Sequence, residues 1–283
     1  MSIQLIINAD DYGRTPGVSA GIRSAHLQGI VTSTTAMMNM PGIETALEQT
    51  QKDCPNLGLG VHLVLTSGRP LLPTSRVPSL TGGLDHFPSA NGFLDYLTDI
   101  NPEQVRGEWD AQVQKFIHLT GKKPDHLDSH HHTSYFTPAL FEIMLEIARE
   151  LDCAIRPPLA EGGSDLPIDL PPELGQQAMD FLPPLLSRFN PRRPDNFFSS
   201  FYDKSATLDN LLGIISSLPA GTSEIMCHPG IADQELLSGS SYSLQRENEL
   251  GLLIDPTVST FIMEQDIHLI NYSQLLGFYK LET

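Results

Sequence analysis

Short apolar strands alternate with helices along this chain, and several of the strands end in an aspartate or a histidine. Such alternation favours a parallel sheet, because two parallel neighbours must be joined by a crossover, usually a helix. The carboxyl ends of parallel strands meet at one edge of the sheet, where α/β folds place their chemistry. The sequence therefore predicts an α/β fold in which polar strand ends converge on one site.

Seven or eight strand-like runs are present, and the spread of their polar ends favours a barrel over an open sheet. Polar groups arrive from strands 1, 3, 4, 5 and 7 of this series, and an open sheet would hold the first and seventh strands apart. We therefore expect a closed but distorted (β/α) barrel, similar to a TIM barrel. A length of 283 residues suits one barrel, so residues 1–283 are predicted to form a single domain.

Two stretches interrupt the alternation of strands and helices. Residues 66–90 contain Gly, Pro and Ser and follow the strand that holds His62, which is typical of an active-site loop. Residues 157–194 contain nine prolines, too many for regular structure, together with apolar residues that indicate packing. We expect both stretches to lie over the rim of the active site.

The segment 126–132 holds four of the ten histidines and one aspartate. Read as a strand, its period of two places four side chains on one face: His126, Asp128, His130 and His132. Imidazole and carboxylate groups on a shared face are ligands for a divalent cation, and a neighbouring carboxylate can orient a ligating imidazole. The alternative is a polar strand end with solvated or capping histidines. The clustering of four such groups favours a metal or catalytic site.

Two other strands carry candidate partners for this segment. An apolar run at residues 2–8 is followed by Asp10 and Asp11, of which Asp11 could bind a cation while Asp10 keeps a free carboxylate for proton transfer. The alternative for this acidic pair is a turn or a helix cap. His62 interrupts an apolar strand between 57 and 66, where it is either a satisfied core histidine or a metal ligand. Gly58 and Gly60 would allow another group to approach that strand closely.

His228 ends a further predicted strand and is weak evidence by itself. The adjacent Cys227 points to the opposite face of that strand, so a small buried thiol is a better interpretation than a nucleophile. The three cysteines are widely spaced, odd in number and without a Cys-x-x-Cys pair. This spacing argues against a disulfide scaffold and against a structural zinc cluster.

The charge balance limits the range of partners. The chain has 17 basic and 34 acidic residues and a formal net charge of −17, which argues against nucleic acid because phosphate binding needs a basic face. Neutral or amine-bearing small molecules remain compatible substrates. No signal peptide or membrane span is recognised, so we expect a cytoplasmic protein without membrane contact. The oligomeric state stays open, a homodimer included.

Five motifs, taken together and in this order, resemble those of the YdjC-type carbohydrate deacetylases and, within them, of the bacterial chitooligosaccharide deacetylases. The resemblance runs from about residue 3 to the last strand. The motifs cover residues 8–13 (NADDYG), 29–35 (GIVTSTT), 60–66 (GVHLVLT), 126–132 (HLDSHHH) and 226–229 (MCHP).

The resemblance implies a distorted barrel and one divalent cation held by Asp11, His62 and His130. Magnesium is the usual assignment for the family, although this ligand set suits zinc at least as well. The resemblance also implies hydrolysis of the N-acetyl group of N-acetylglucosamine units, with Asp10 accepting a proton from water and His228 protonating the amine. Arg156 matches a position associated with the base carboxylate in related deacetylases. The roles of the remaining histidines are left open: His126, His131 and His132.

Three functions remain to be distinguished. The first is a deacetylase acting on a short, soluble chitooligosaccharide or on another acetylated amino sugar. The second is a sugar- or metal-binding barrel without activity, which the presence of both Asp10 and His228 disfavours. The third is a phosphoester- or isomerase-type metal enzyme, which would require more carboxylate ligands or a phosphate-binding basic cluster than these strands supply.

Overall fold

The computed structural model describes residues 2–158 and 172–275, which form eight strands and eleven helices. The strands are β1 Ile3–Tyr12, β2 Ser33–Ala36, β3 Gly58–Leu63, β4 His126–Ser129, β5 Ala154–Ile155, β6 Asn196–Phe198, β7 Gly221–Cys227 and β8 Ile267–Leu269. The helices are α1 Pro16–Gln28, α2 Ile43–Asp53, α3 Pro78–Thr81, α4 Ala90–Leu94, α5 Pro102–Thr120, α6 Pro138–Leu151, α7 Pro172–Phe189, α8 Leu208–Ser216, α9 Gln234–Gly239, α10 Leu244–Leu253 and α11 Pro256–Glu264.

The strands form one parallel sheet around the central strand β1. The hydrogen-bonded order is β5-β4-β3-β2-β1-β7-β6, and β8 also pairs with β1. β7 pairs with β1 along Ile3–Ala9, whereas β2 pairs with the second half of β1 and β8 with the first. Residues 5–7 are fully buried, as expected for an apolar strand covered on both faces. The order brings the first and seventh strands into direct contact.

The sheet curves into a distorted barrel, which confirms the predicted fold class. The expectation of complete closure is wrong, because no strand ladder joins β5 to β6 within the described residues. One backbone hydrogen bond, from the Ile155 amide to the Arg192 carbonyl at 2.9 Å, crosses this gap. β5 and β6 contain only two and three residues.

Capping residues and prolines begin the helices. Thr15 accepts a hydrogen bond from the Val18 amide and Pro16 is the first residue of α1. α5 starts in the same way at Asn101 and ends before Gly121, whose φ of 69° is left-handed. The apolar face of α5 is buried, including its single tryptophan, Trp109.

α5 also buries two polar residues that lie on the same face, one turn apart, and that the apolar pattern did not reveal. The Glu108 carboxylate accepts hydrogen bonds from the Leu71 and Leu72 amides at 2.9 and 3.0 Å. Gln112 bonds both the amide and the carbonyl of Val64 at 2.9 Å. Together they fasten the end of β3 and the following stretch to α5, which fixes one wall of the site described below.

The interpretation of residues 126–132 as one strand is wrong. β4 ends at Ser129, its last residue paired with β3, and residues 130–135 form a 3₁₀ turn. His131 and His132 have φ values of 53° and 56°, and this left-handed conformation turns the chain out of the sheet. The alternation of faces therefore stops at Ser129.

The proline-rich stretch is partly regular, contrary to expectation. Its residues 159–171 lie outside the described part of the chain, but α7 covers Pro172–Phe189. A proline is tolerated at the first position of a helix, and the internal Pro183 and Pro184 do not end this one. A buried stripe at a spacing of four residues outweighs their cost: Ala178, Leu182 and Leu186. Of the described helices, none is both long and apolar enough to cross a membrane.

We predict that Glu108→Ala lowers the free energy of unfolding by about 2–4 kcal/mol, because it removes a buried carboxylate and leaves two partly buried amides without an acceptor. The measurement is urea denaturation followed by circular dichroism. Glu103→Ala, an exposed position on the same helix, should change this free energy by less than about 0.5 kcal/mol. Equal effects of the two substitutions would contradict the anchoring role of Glu108.

Candidate active site

Three side chains from separate strand ends form a compact triangle of potential ligand atoms. Asp11 is the second-last residue of β1, His62 lies in β3, and His130 follows β4 directly. Asp11 Oδ1 lies 3.0 Å from His130 Nδ1 and 3.4 Å from His62 Nε2. The two ring nitrogens are 3.3 Å apart. The structure thus brings together the three residues that the sequence suggested as metal ligands.

The triangle fits a single divalent cation. Ligand atoms at about 2.1 Å from one ion lie roughly 2.9 to 3.5 Å apart in octahedral or tetrahedral coordination. All three observed separations fall in this range. One carboxylate oxygen with two imidazole nitrogens is a donor set for zinc and similar cations, and it leaves positions for water or substrate.

Asp128 orients the His62 ring. Its Oδ1 lies 2.6 Å from His62 Nδ1, which leaves Nε2 for the triangle, and its Oδ2 accepts a hydrogen bond from Thr35 at 3.0 Å. Burial would lower the pKa of His62, but the Asp128 and Asp11 carboxylates outweigh burial and raise that pKa to about 10. A cation at Nε2 has to compete with this proton, so metal affinity should fall as the pH falls.

Asp10, the residue before Asp11, is held by a buried guanidinium. Arg156, which follows β5 and is 0% exposed, donates to both Asp10 oxygens at 2.6 and 2.7 Å. Burial would raise the pKa of Asp10, but Arg156 outweighs burial and holds that pKa below its usual range. Arg156 does not line the site cavity, although its partner Asp10 does.

His228 lies next to Asp10 in the site. Its Nε2 lies 4.0 Å from Asp10 Oδ2, and burial lowers the pKa of His228 to about 4, so the ring is neutral at neutral pH. The buried carboxylate of Glu249 accepts a hydrogen bond from the His228 amide at 2.5 Å and another from the Tyr242 hydroxyl. Burial raises the pKa of Glu249 to about 7. Tyr242 stacks on Tyr202, with ring centroids 4.5 Å apart.

Backbone conformations that L-residues seldom adopt are concentrated at this site. Asp11 has a φ of 70°, in addition to the left-handed His131 and His132. Such conformations cost about 1–3 kcal/mol each and persist where surrounding contacts impose them. They let adjacent residues point in different directions, so that Asp10 and Asp11 separate and His130 turns towards Asp11.

The remaining histidines of the cluster have different surroundings. His126 is buried and stacks on Tyr272, with ring centroids 3.7 Å apart. Its Nδ1 lies 2.5 Å from Asp125 Oδ1. A Cβ on Gly60 would approach the His126 ring to 2.5 Å, so Gly60 admits this ring and not a ligand. His131 bonds Thr66 at 2.9 Å at the edge of the site, and His132 packs beside Tyr135.

A cavity of about 380 Å³ opens over the triangle. Asp10, Asp11, His62, His130 and His228 all line it, as do both ends of the stretch 66–90, through residues 66, 67, 89 and 90. Of the described residues in 172–194, none lines this cavity. A larger cavity of about 710 Å³ lies at the amino-terminal ends of β3 and β4 and contacts none of the site residues. Convergence of titratable groups favours the smaller cavity as the active site.

Sequence reasoning missed the buried charges that support the site. Glu224 in β7 accepts a hydrogen bond from Arg156 at 2.9 Å and one from Tyr272 at 2.5 Å. Arg246 and Glu249 lie in α10, and Arg246 donates to Asp11 at 2.5 Å. These three charged residues lie outside the motifs, so the sequence alone gives no sign of their role. Their burial marks them as unusual, because charged residues are seldom fully buried unless they are paired.

Comparison with known proteins agrees with this fold. A carbohydrate deacetylase of Thermoanaerobacter pseudethanolicus is 35% identical over 271 residues, which cover 96% of this chain and 98% of that protein. A solved Enterococcus faecalis structure, proposed to be a cellobiose-phosphate cleavage protein, is 34% identical with a TM-score of 0.84, covering 98% of this chain and 100% of its own.

A more distant structure shares the fold alone. A family 4 carbohydrate esterase from Streptomyces lividans, solved with acetate, is 10% identical with a TM-score of 0.50, covering 94% of this chain and 91% of its own. The fold and site define an α/β barrel with a candidate metal centre at its strand ends. The family model of the YdjC-like proteins matches residues 4–264, so this chain belongs to the YdjC-like family. The resemblance inferred from the five motifs is confirmed.

We predict that His130→Ala and Asp11→Ala each reduce affinity for a divalent cation at least 100-fold, because each removes one of three ligand atoms. Isothermal titration of metal-free protein with Zn²⁺ or Mg²⁺ measures the affinity, and circular dichroism checks the fold. His86→Ala is the matched control, since His86 is an exposed histidine outside the site. Wild-type affinity in the His130→Ala protein would show that the ligand set is different.

Proposed function

We propose that this protein is a metal-dependent deacetylase that hydrolyses the N-acetyl group of N-acetylglucosamine units in short chitooligosaccharides and releases acetate. The observation that supports the proposal most is the arrangement of the cavity. It is lined by a metal-ligand triangle together with an ionised carboxylate, Asp10, and a neighbouring histidine, His228. Relatives that span the whole chain are named carbohydrate deacetylases. Hydrolysis of an amide needs all three parts, because an amide is a poor electrophile with a poor leaving group.

Asp11, His62 and His130 would hold the cation, which when bound supplies acidification of a water molecule and polarisation of the acetamide carbonyl. Magnesium is the cation expected from the family and zinc the one favoured by the donor set. Asp128 keeps the His62 ring in the orientation that presents Nε2.

Asp10 is proposed to accept the proton of the attacking water. Its pKa lies below its usual range, so at neutral pH it is in the ionised form, the one that can accept a proton. Arg156 holds the carboxylate by two hydrogen bonds, which fixes its direction. The proposed role of Arg156 is therefore to position Asp10, without contact to the substrate.

His228 is proposed to deliver a proton to the departing amine. Because its ring is neutral at neutral pH, it must first receive that proton. Asp10, 4.0 Å away, is the neighbouring group that has just gained one. The proton balance then closes: water gives one proton to Asp10 and its hydroxide to the acetyl carbon, the C–N bond breaks, and the amine leaves with a proton passed through His228.

The substrate is proposed to be a short, soluble acetylated amino-sugar oligomer. A cavity of about 380 Å³ is near the lower end of the range for small-molecule sites, which favours a few sugar rings over a polymer. The stacked Tyr202 and Tyr242 add an aromatic wall to this cavity. The three free cysteines are all buried, which is compatible with the proposed cytoplasmic location.

We predict that Asp10→Asn lowers kcat by roughly 100- to 10,000-fold while metal content stays at the wild-type level, since Asn cannot accept the proton. His228→Ala should show the same pattern. Acetate release and metal analysis on the same samples provide the two readouts. Asp10 also forms a second potential ligand group with His62 and Asp128. Loss of metal from Asp10→Asn, with activity restored by excess cation, would make Asp10 a ligand and not the base.

We predict the highest kcat/KM for N,N′-diacetylchitobiose or its trimer and at least 100-fold lower efficiency on swollen chitin, because the cavity is small. Acetate release across N-acetylglucosamine, its dimer, its trimer and chitin measures the preference. N-Acetylgalactosamine and N-acetylmannosamine test the alternative of another acetylated amino sugar. Comparable efficiency on the polymer would refute the size argument, and binding without acetate release would favour the inactive barrel.

A further inference from the structure

Helix α10 brings two buried charges of opposite sign to the site. Arg246 and Glu249 are 3% and 0% exposed and lie three residues apart, on one face of the helix. Glu249 bonds the His228 amide, and Arg246 bonds Asp11. No step of the proposed reaction uses Arg246. A buried guanidinium beside a proposed metal site therefore needs an explanation, because positive charge there opposes binding of a cation.

Contacts along its length fix the position of Arg246. Its carbonyl accepts a hydrogen bond from the Gly230 amide at 3.1 Å, two residues after His228. Its Nε donates to the Tyr242 carbonyl at 3.2 Å. Its Nη2 donates to Asp11 Oδ2 at 2.5 Å. The guanidinium is thus held against one chosen oxygen of Asp11.

The two oxygens of Asp11 are divided between different partners. Oδ1 faces His62 and His130 in the ligand triangle, whereas Oδ2 is bonded to Arg246. A carboxylate can chelate a cation only when both of its oxygens face the ion. We propose that Arg246 is a positioning residue that fixes Asp11 as a one-oxygen ligand and so keeps a coordination position open for water or substrate. This inference rests on the proposed function and adds a residue to its metal site.

Arginine suits this task better than lysine does. Its planar fork keeps a fixed direction towards a carboxylate oxygen, and its charge persists in a buried position. Lysine would place a point charge near Asp11 but without the same directional constraint. The proposal therefore separates two effects of Arg246: its charge, which weakens cation binding, and its geometry, which limits Asp11 to one oxygen.

The experiment uses metal-free full-length protein loaded with Mn²⁺ alone. The water-proton relaxation rate of bound Mn²⁺ reports how many exchangeable waters it carries, and titration gives its affinity. We expect Arg246→Gln to bind Mn²⁺ as tightly as wild type or up to about tenfold more tightly, with fewer exchangeable waters. Arg246→Lys should keep the wild-type affinity but also lose exchangeable water. Arg106→Gln, which removes an arginine from a surface carboxylate cluster, should match wild type in both readouts.

The proposal would be overturned if Mn²⁺-saturated Arg246→Gln protein showed the same water-proton relaxation rate as the wild type. Complete loss of Mn²⁺ binding in a folded variant would overturn it as well. Should Arg246→Gln fail to fold by circular dichroism, the Lys variant carries the same test, and unchanged relaxation in it overturns the proposal. Neither readout depends on a sugar substrate. If the wild-type protein binds Mn²⁺ but releases no acetate from the sugar substrates, the proposed function is refuted. The role of Arg246 is then still decided by the water-proton relaxation rates of the variants.

Discussion

The contact on which the site depends most is the pairing of one buried guanidinium with carboxylates from three strands. Arg156 binds Asp10 of β1, Asp128 of β4 and Glu224 of β7, and all four side chains are at most 3% exposed. Carboxylates so deep in a barrel require a counter-charge, and removal of one partner from such a cluster typically costs about 3–5 kcal/mol. Asp10 is the proposed base and Asp128 orients His62, so both halves of the proposed chemistry are positioned by this cluster.

Much of this arrangement could be predicted because strand ends are visible in sequence. A short apolar run followed by Asp or His places that residue at the carboxyl edge of a parallel sheet whatever the side chains around it. Asp11 and His62 are candidates on this ground, whereas the complete set with His130 came from the family resemblance. The structure brings the three residues within 3.4 Å of one another. Helix caps at Thr15 and Asn101 were equally visible, because a cap is a local interaction between near neighbours in sequence.

The rest depends on contacts between distant residues. Arg246 is 235 residues from Asp11, and no periodicity marks a charged residue that will be buried against a distant strand end. The pattern of the histidine run predicts a strand, because alternation of side chains does not show where strand pairing ends. His131 adopts a left-handed conformation, which a histidine in the sequence does not predict. α7 was missed for the opposite reason: local proline rules predicted an irregular segment, whereas tertiary burial of Leu182 and its neighbours favoured a helix.

The missing ladder between β5 and β6 has a consequence for how this architecture can diverge. In a fully hydrogen-bonded barrel, strand number and stagger set the radius. Here the Arg156 side chain joins the end of β5 to β1 and β7, beside one backbone hydrogen bond across the gap. The spacing of the strands on this side therefore depends on side-chain lengths as well as on strand pairing. Exchange of Asp for Glu at a partner of Arg156 would change that spacing without shifting the register of any strand.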